Sequence, residues 1–164
     1  MWLCGGETRM KFAGEITVKA RRDAVFEALT DANIFASLID GVSGLTPLDD
    51  KRFDAVLETK VAYMSFKFKV TVEFTKITPP YDIAAKIEGM PLGLVGRLTA
   101  ATMTRLTEAG AAGEETRIQY EIDTTLTGKL GSIGQPVMKA KARDMEKQFA
   151  RNLQLRFSAS AATA

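Results

Sequence analysis

Leu126-Thr127-Gly128-Lys129-Leu130-Gly131-Ser132-Ile133-Gly134-Gln135-Pro136-Val137 joins two kinds of pattern. Before it, apolar and polar residues alternate; after it, apolar residues recur at helical spacing. Gly128, Gly131 and Gly134 give the loop backbone freedom. Pro136 sits where a first helical turn needs no N–H. The stretch therefore places one long C-terminal helix after a run of strands, the order that a bent sheet gripping a helix requires.

Upstream, Ile118, Tyr120 and Ile122 alternate with Arg117, Gln119, Glu121 and Asp123, and the period of two reads as a strand. The clearest alternation is Met64, Phe66, Phe68, Val70, Val72 and Phe74 against Ser65, Lys67, Lys69, Thr71, Glu73 and Thr75. One side is dry and the other wet, as in an antiparallel strand covered on one face. Phe12 to Val18, Phe53 to Val61 and Ile83 to Ile87 repeat the pattern. Arg97 to Thr107 also reads as a strand, but Met103 and Leu106 fall on opposite parities, and a bulge is expected between them. Two short helices are expected from about Asp23 and over Ile34 to Ile39, separated by Asp31-Ala32-Asn33. Strands in a run, closed by a helix, give an α+β class with a curved antiparallel sheet.

The C-terminal helix carries Met138, Ala142, Met145, Phe149 and Leu153 on one stripe. With Met64, Phe66, Phe68, Val70, Ile83, Ile87, Met103 and Tyr120 from the strands, it makes an apolar, Met-rich interior. Met adapts to irregular shapes, and small-molecule pockets are mostly apolar with few polar groups. Periodicity does not separate a lined cavity from a filled core, and both stay open. Phe35 and Leu38 from the second short helix join the candidate lining. Gly89-Met90-Pro91-Leu92-Gly93-Leu94-Val95-Gly96 is an unusually apolar loop, read either as a lid or contact patch or as a flap folded onto the core. Lys139, Arg143, Lys147 and Arg151 recur every four residues on the opposite side of the helix. They form either a docking face for anionic lipid or an acidic partner, or an ordinary solvated face.

The chain has 164 residues, 46% hydrophobic and 26% charged, with a formal net charge of +2, which bounds it to a single ordinary globular domain without the basic excess of a nucleic-acid binder. Residues 10–157 are read as that domain, 1–9 as a leader or added remnant, and 158–164 as a frayed tail. Histidine is absent, which removes the usual general base and every Ser-His or Cys-His arrangement. Cys4 is the single cysteine, so no internal disulfide or thiolate metal site is expected and a reducing, cytoplasmic setting is the simpler reading. The glycine-rich segments lack phosphate-loop and dinucleotide spacing. No catalytic residue, cofactor or metal is expected, and no nucleic-acid partner.

Gly14 to Val18, Asp31-Ala32-Asn33, Ile39-Asp40-Gly41-Val42 and above all Thr127-Gly-Lys-Leu-Gly-Ser-Ile-Gly-Gln-Pro136, with Phe149, resemble the CoxG-like family, named for a component of carbon monoxide dehydrogenase. The resemblance runs from about Met10 to Phe157. It implies the helix-grip fold of the START/Bet v 1-like superfamily, with about seven strands enclosing an apolar cavity. It also implies an accessory protein, not an enzyme, that serves a molybdenum-containing carbon monoxide dehydrogenase-type oxidoreductase. The implied roles are recruitment to the inner face of the membrane and handling of a quinone or lipid in the cavity. A cyclase- or hydrolase-like enzyme on the same fold, or an assembly factor without ligand, are the alternatives. Some relatives carry a membrane anchor in a C-terminal extension, and the chain ends at Ala164 without one, which favours a soluble or transiently bound form.

Overall fold

A computed structural model describes residues 7–61 and 63–163. The order is β1 (Thr8–Val18), α1 (Arg22–Thr30), α2 (Ala32–Ser37), β2 (Val42–Pro47), β3 (Arg52–Val61), β4 (Met64–Thr78), β5 (Asp82–Pro91), β6 (Gly96–Ala109), β7 (Glu115–Gly128), a 3-10 turn (Lys129–Ser132) and α3 (Gln135–Thr163). The strands form one seven-stranded sheet in the order β1-β7-β6-β5-β4-β3-β2. Every neighbouring pair is antiparallel. The α+β helix-grip architecture expected from the sequence is the one observed.

Local chemistry sets the joints. The Asp31 carboxylate accepts the Ile34 N–H at 3.1 Å and caps α2 immediately after α1 ends. Asp49 accepts from the Lys51 and Arg52 amides, both at 2.9 Å, and closes the β2–β3 turn. In the join before α3, Gly128 has a φ of +63°, and a Cβ there would strike the Val95 carbonyl and the Gly96 Cα. Gly96 is its cross-strand partner, so the glycine pair lets two backbones approach where β6 and β7 end.

Three expectations are corrected. The stretch read as a leader enters the sheet at Thr8, which pairs with Leu126 and donates its hydroxyl to the Gly131 carbonyl at 2.7 Å. Residues 1–6, including Cys4, lie outside the described residues. The β6 bulge is absent: its register with β5 and β7 runs unbroken, and the irregularities fall at Ser43/Thr46 and Phe74/Lys76. Met103 needs no bulge because it faces out, and Leu106 alone holds the inward parity. Finally, α3 continues through Thr163, into the tail of small residues.

Two buried clusters occupy opposite ends of the concave face. The larger joins Ile16, Val18, Leu106, Ile118 and Phe74 to α1, Leu38 and Leu153 of α3. The smaller joins Met10, Val61, Phe66, Phe68 and Leu126 to Leu130 of the 3-10 turn. The C-terminal half of α3 is tied down firmly. Asn152 donates to the Leu38 carbonyl at 2.9 Å, Gln154 donates to the Thr17 carbonyl at 2.6 Å, and Phe149 meets Phe35 at a 5.8 Å ring separation.

Candidate ligand site

Cross-strand registry defines which residues share the inner face. Leu98, Ala100, Thr102, Thr104 and Leu106 of β6 lie opposite Leu126, Thr124, Ile122, Tyr120 and Ile118 of β7. Gly89, Ile87, Ala85 and Ile83 of β5 flank them on the other side. In a filled core, the inner residues of such a central strand are its most buried. Leu106 is, at 0% exposure, yet Leu98, Ala100, Thr102 and Thr104 are only half-buried. Val70, Ile87, Ile122, Tyr120 and Phe12 around them are half-buried too. The main approaches of α3 are to β1 and β3, to either side of these strands. Along the middle of β6 the inner residues thus stay partly exposed, although Thr124 and Leu126, opposite Ala100 and Leu98, are buried.

The residues singled out from the sequence divide into three groups. Val70, Ile87, Tyr120, Met138, Ala142, Met145, Phe149 and Phe35, from the sheet, α3 and α2, are half-buried, and most of them pack against the margins of the two clusters. Leu38, Phe66, Phe68 and Ile83 are buried in the two solid clusters, where Phe66 and Phe68 stack at 5.8 Å. Four others are placed elsewhere. Met103 is 49% exposed on the convex face, between partners Ala84 and Glu121. Met90 also faces the convex side, opposite Lys69. Met64 has the inward parity but lies at the exposed tip of the β3–β4 hairpin, and Leu92 lies in the exposed β5–β6 loop. Period two assigned Met64 correctly to a side and could not report that the sheet ends there; for Met103 and Met90 the neighbouring parity was the inward one.

The β5–β6 loop does not fold onto the core. Leu92, Leu94 and Val95 are exposed, Val95 at 80%. The Leu92 N–H donates to the Lys67 carbonyl and the Lys129 N–H to the Val95 carbonyl, so the loop sits between β4 and the 3-10 turn. Tyr63 and Met64 of the β3–β4 hairpin are exposed at the same end of the sheet, as is Val137 at the start of α3. Lys67 and Lys129 flank this apolar tip. Lys139, Arg143, Lys147 and Arg151 are all exposed, on the side of α3 away from Phe149 and Leu153.

Sequence reading points to Tyr120 as a polar group of the inner face but not to its neighbour Glu146. Gly14 of β1 faces Tyr120 across the strand pair, and a Cβ on it would collide with both the Tyr120 hydroxyl and the Glu146 carboxylate of α3. The two oxygens share the space the glycine leaves. By charge alone Glu146 belongs with the solvated residues of α3. Its place beside Met145, four residues after Ala142 and three before Phe149, is the signal that puts it on the inner stripe.

Residues 14–158 match the family model for CoxG, a subunit of carbon monoxide dehydrogenase. The chain belongs to the CoxG family. Among solved structures, the CoxG-family chain resembles a conserved protein of Geobacillus kaustophilus, with 24% identity, a TM-score of 0.83 and coverage of 92% of this chain and 97% of that one. A START superfamily protein of Mycobacterium smegmatis aligns at 14% identity and a TM-score of 0.66, over 89% and 95% of the two chains. The Zhui aromatase/cyclase of Streptomyces sp. R1128 aligns at 13% identity and 0.61, over 91% and 93%. At these identities the likeness is one of fold. No curated protein gives a significant sequence match. Among the described residues, no helix is long and apolar enough to cross a membrane.

Proposed function

We propose that this CoxG-family chain is a non-catalytic carrier that holds a hydrophobic small molecule, a quinone or a lipid, between the sheet and α3. The observation that carries the reading is the half-buried inner face of β6 from Leu98 to Thr104. Apolar surface left in reach of water is unfavourable by roughly 25 cal/mol per Å². A guest of matching shape removes that cost, and Val70, Ile87, Met138, Ala142, Met145 and Phe149 offer it adaptable apolar walls.

Family membership supports a proposed setting, an accessory role beside a carbon monoxide dehydrogenase-type enzyme of the molybdenum-containing kind, with the guest passing between that enzyme and the inner face of the membrane. Two surfaces suit these contacts. The exposed apolar tip formed by Tyr63, Met64, Leu92, Leu94 and Val95, with Lys67 and Lys129 beside it, suits an anionic bilayer. The row Lys139, Arg143, Lys147 and Arg151 suits an acidic protein surface.

A cyclase-like enzyme is the second reading, and it would have to use Tyr120 and Glu146. That pair offers one carboxylate and one phenol, and it leaves the wide apolar surface around it without a purpose. The deciding experiment is organic extraction of the purified protein with mass spectrometry, followed by titration with a prenyl quinone. The carrier reading expects a co-purified prenyl lipid or saturable one-to-one binding. A clean extract together with no binding removes it.

A further inference from the structure

Gly14 lies on the apolar side of β1 between Phe12 and Ile16. No unusual backbone conformation calls for glycine there, since it is not among the residues with positive φ. What the position does require is room. A methyl group would overlap the Tyr120 hydroxyl and the Glu146 carboxylate, which enter the same space from β7 and from α3.

Registry shows where along the sheet this happens. Gly14, Tyr120 and Thr104 are successive cross-strand partners and form one row across β1, β7 and β6. The adjoining row on one side, Ile16, Ile118 and Leu106, is solidly buried. The adjoining row on the other side, Phe12, Ile122 and Thr102, is half-buried and apolar apart from one hydroxyl. The polar row thus marks the boundary where the larger buried cluster stops and the half-buried part of the inner face begins. Glu146 closes it from above. Three other glutamates have cationic partners: Glu15 with Arg117 at 3.0 Å, Glu58 with Lys67 at 3.5 Å and Glu108 with Arg22 at 3.1 Å. Among the described residues, Glu146 forms no ion pair and neither it nor the Tyr120 hydroxyl makes a side-chain hydrogen bond.

We propose that Tyr120 and Glu146, seated together over Gly14, are the polar end of the ligand site and select a neutral head group that donates a hydrogen bond. An alcohol or a phenol, the dihydroxy form of a quinone among the latter, meets both partners. An ionised carboxylate only accepts, whereas the phenol both donates and accepts. A hydroxyl can give its proton to Glu146 and take one from Tyr120. A fatty-acid carboxylate would instead set two like charges against each other in a half-buried place, where water screens them poorly. The inference rests on the carrier reading and adds a choice of head group to it.

The test is displacement of the neutral probe N-phenyl-1-naphthylamine from the full chain by two amphiphiles of equal length, dodecanol and dodecanoate, near neutral pH. The expected result is an affinity for dodecanol about tenfold or more above that for dodecanoate. Glu146→Gln should bring the two within about threefold, because the repulsion is gone and the amide can donate to the carboxylate. Tyr120→Phe should weaken dodecanol several-fold and leave its preference over dodecanoate in the same direction. Equal binding of both amphiphiles to the parent chain, or an unchanged ratio in Glu146→Gln with its cooperative thermal unfolding intact, overturns the head-group selection while leaving the carrier standing. If neither the probe nor either amphiphile binds, the carrier reading falls and this inference falls with it.

Discussion

Leu106 and Thr104 stand two residues apart on the same side of β6, and their surroundings differ completely. Leu106 is sealed at 0% exposure among Ile16, Ile118 and Leu153, while Thr104 and the inner residues before it are within reach of water. The same strand and the same parity thus build a packed core at one end and half-buried positions along its middle. What differs is the element above. Over Leu106 the chain lays α1 and the tied-down half of α3, and Leu98 packs against the smaller cluster with Leu130 of the 3-10 turn, while Thr102 and Thr104 between them stay half-buried. Whether a strand lines a core or a cavity is decided by how its cover is fastened. Here the fasteners are Asn152, Gln154 and the Phe35–Phe149 pair.

Truncating both ends of that strand's environment gives the largest contrast. Leu106→Ala should cost about 2–5 kcal/mol of stability, because a closed core leaves a cavity behind. Ile87→Ala, in the half-buried region, should cost only about 1 kcal/mol. Chemical denaturation of both variants measures the difference, and equal losses would mean that the two regions are packed alike. A glycine that makes room should come next. Gly14→Ala must push aside both Tyr120 and Glu146, and we expect a loss of roughly 1–3 kcal/mol, since insertion into an occupied site strains its neighbours. Glu146→Ala in the same background should recover part of that loss in thermal unfolding.

Much of this was legible in the chain, and the parts that were not have a common cause. The alternation in Met64 to Phe74 and the helical stripe of α3 follow from backbone period, so the fold class and the glycine-rich join were readable directly. Depth was not. Phe66 and Val70 have the same parity and the same apolar character, and only the cover above them makes one core and the other wall. Met103 misled because its character is apolar while its parity is that of Arg105 and Ala101, on the convex face. Glu146 is charged, yet its helical position places it inward, over Gly14.

The convex face supplies a smaller, pH-dependent effect that leaves the concave comparison untouched. Arg105 Nε and Nη2 donate to Asp82 at 2.9 and 3.2 Å. That hydrogen bonding, aided by the charges of Arg105 and Lys76, holds the Asp82 carboxyl below the usual aspartate range. A carboxyl with a lowered folded value contributes stability above its unfolded value, and the contribution is lost as pH falls through the folded one. The parent chain should therefore lose stability more steeply than Arg105→Leu below about pH 4. Because the arginine is mostly exposed, the difference should be slight. Matching acid unfolding curves would show that the pair contributes nothing. The smallest effect on the fold belongs to the apolar tip. Val95→Asp should leave thermal unfolding within about 0.5 kcal/mol of the parent, while sedimentation with anionic vesicles should fall; unchanged sedimentation would take the tip out of any membrane contact.

The most direct measurement fills the space and asks what is lost. Ala100→Phe adds a ring on the inner face of β6, one step from Leu98 at the edge of the smaller cluster, where open room is expected on the side toward Thr102. Titrated with N-phenyl-1-naphthylamine, the parent chain should show saturable one-to-one fluorescence enhancement, and the variant should show almost none while still unfolding cooperatively near the parent temperature. A variant that binds the probe as the parent does, or one too overpacked to fold, would mean that the interior beneath α3 is not an open site.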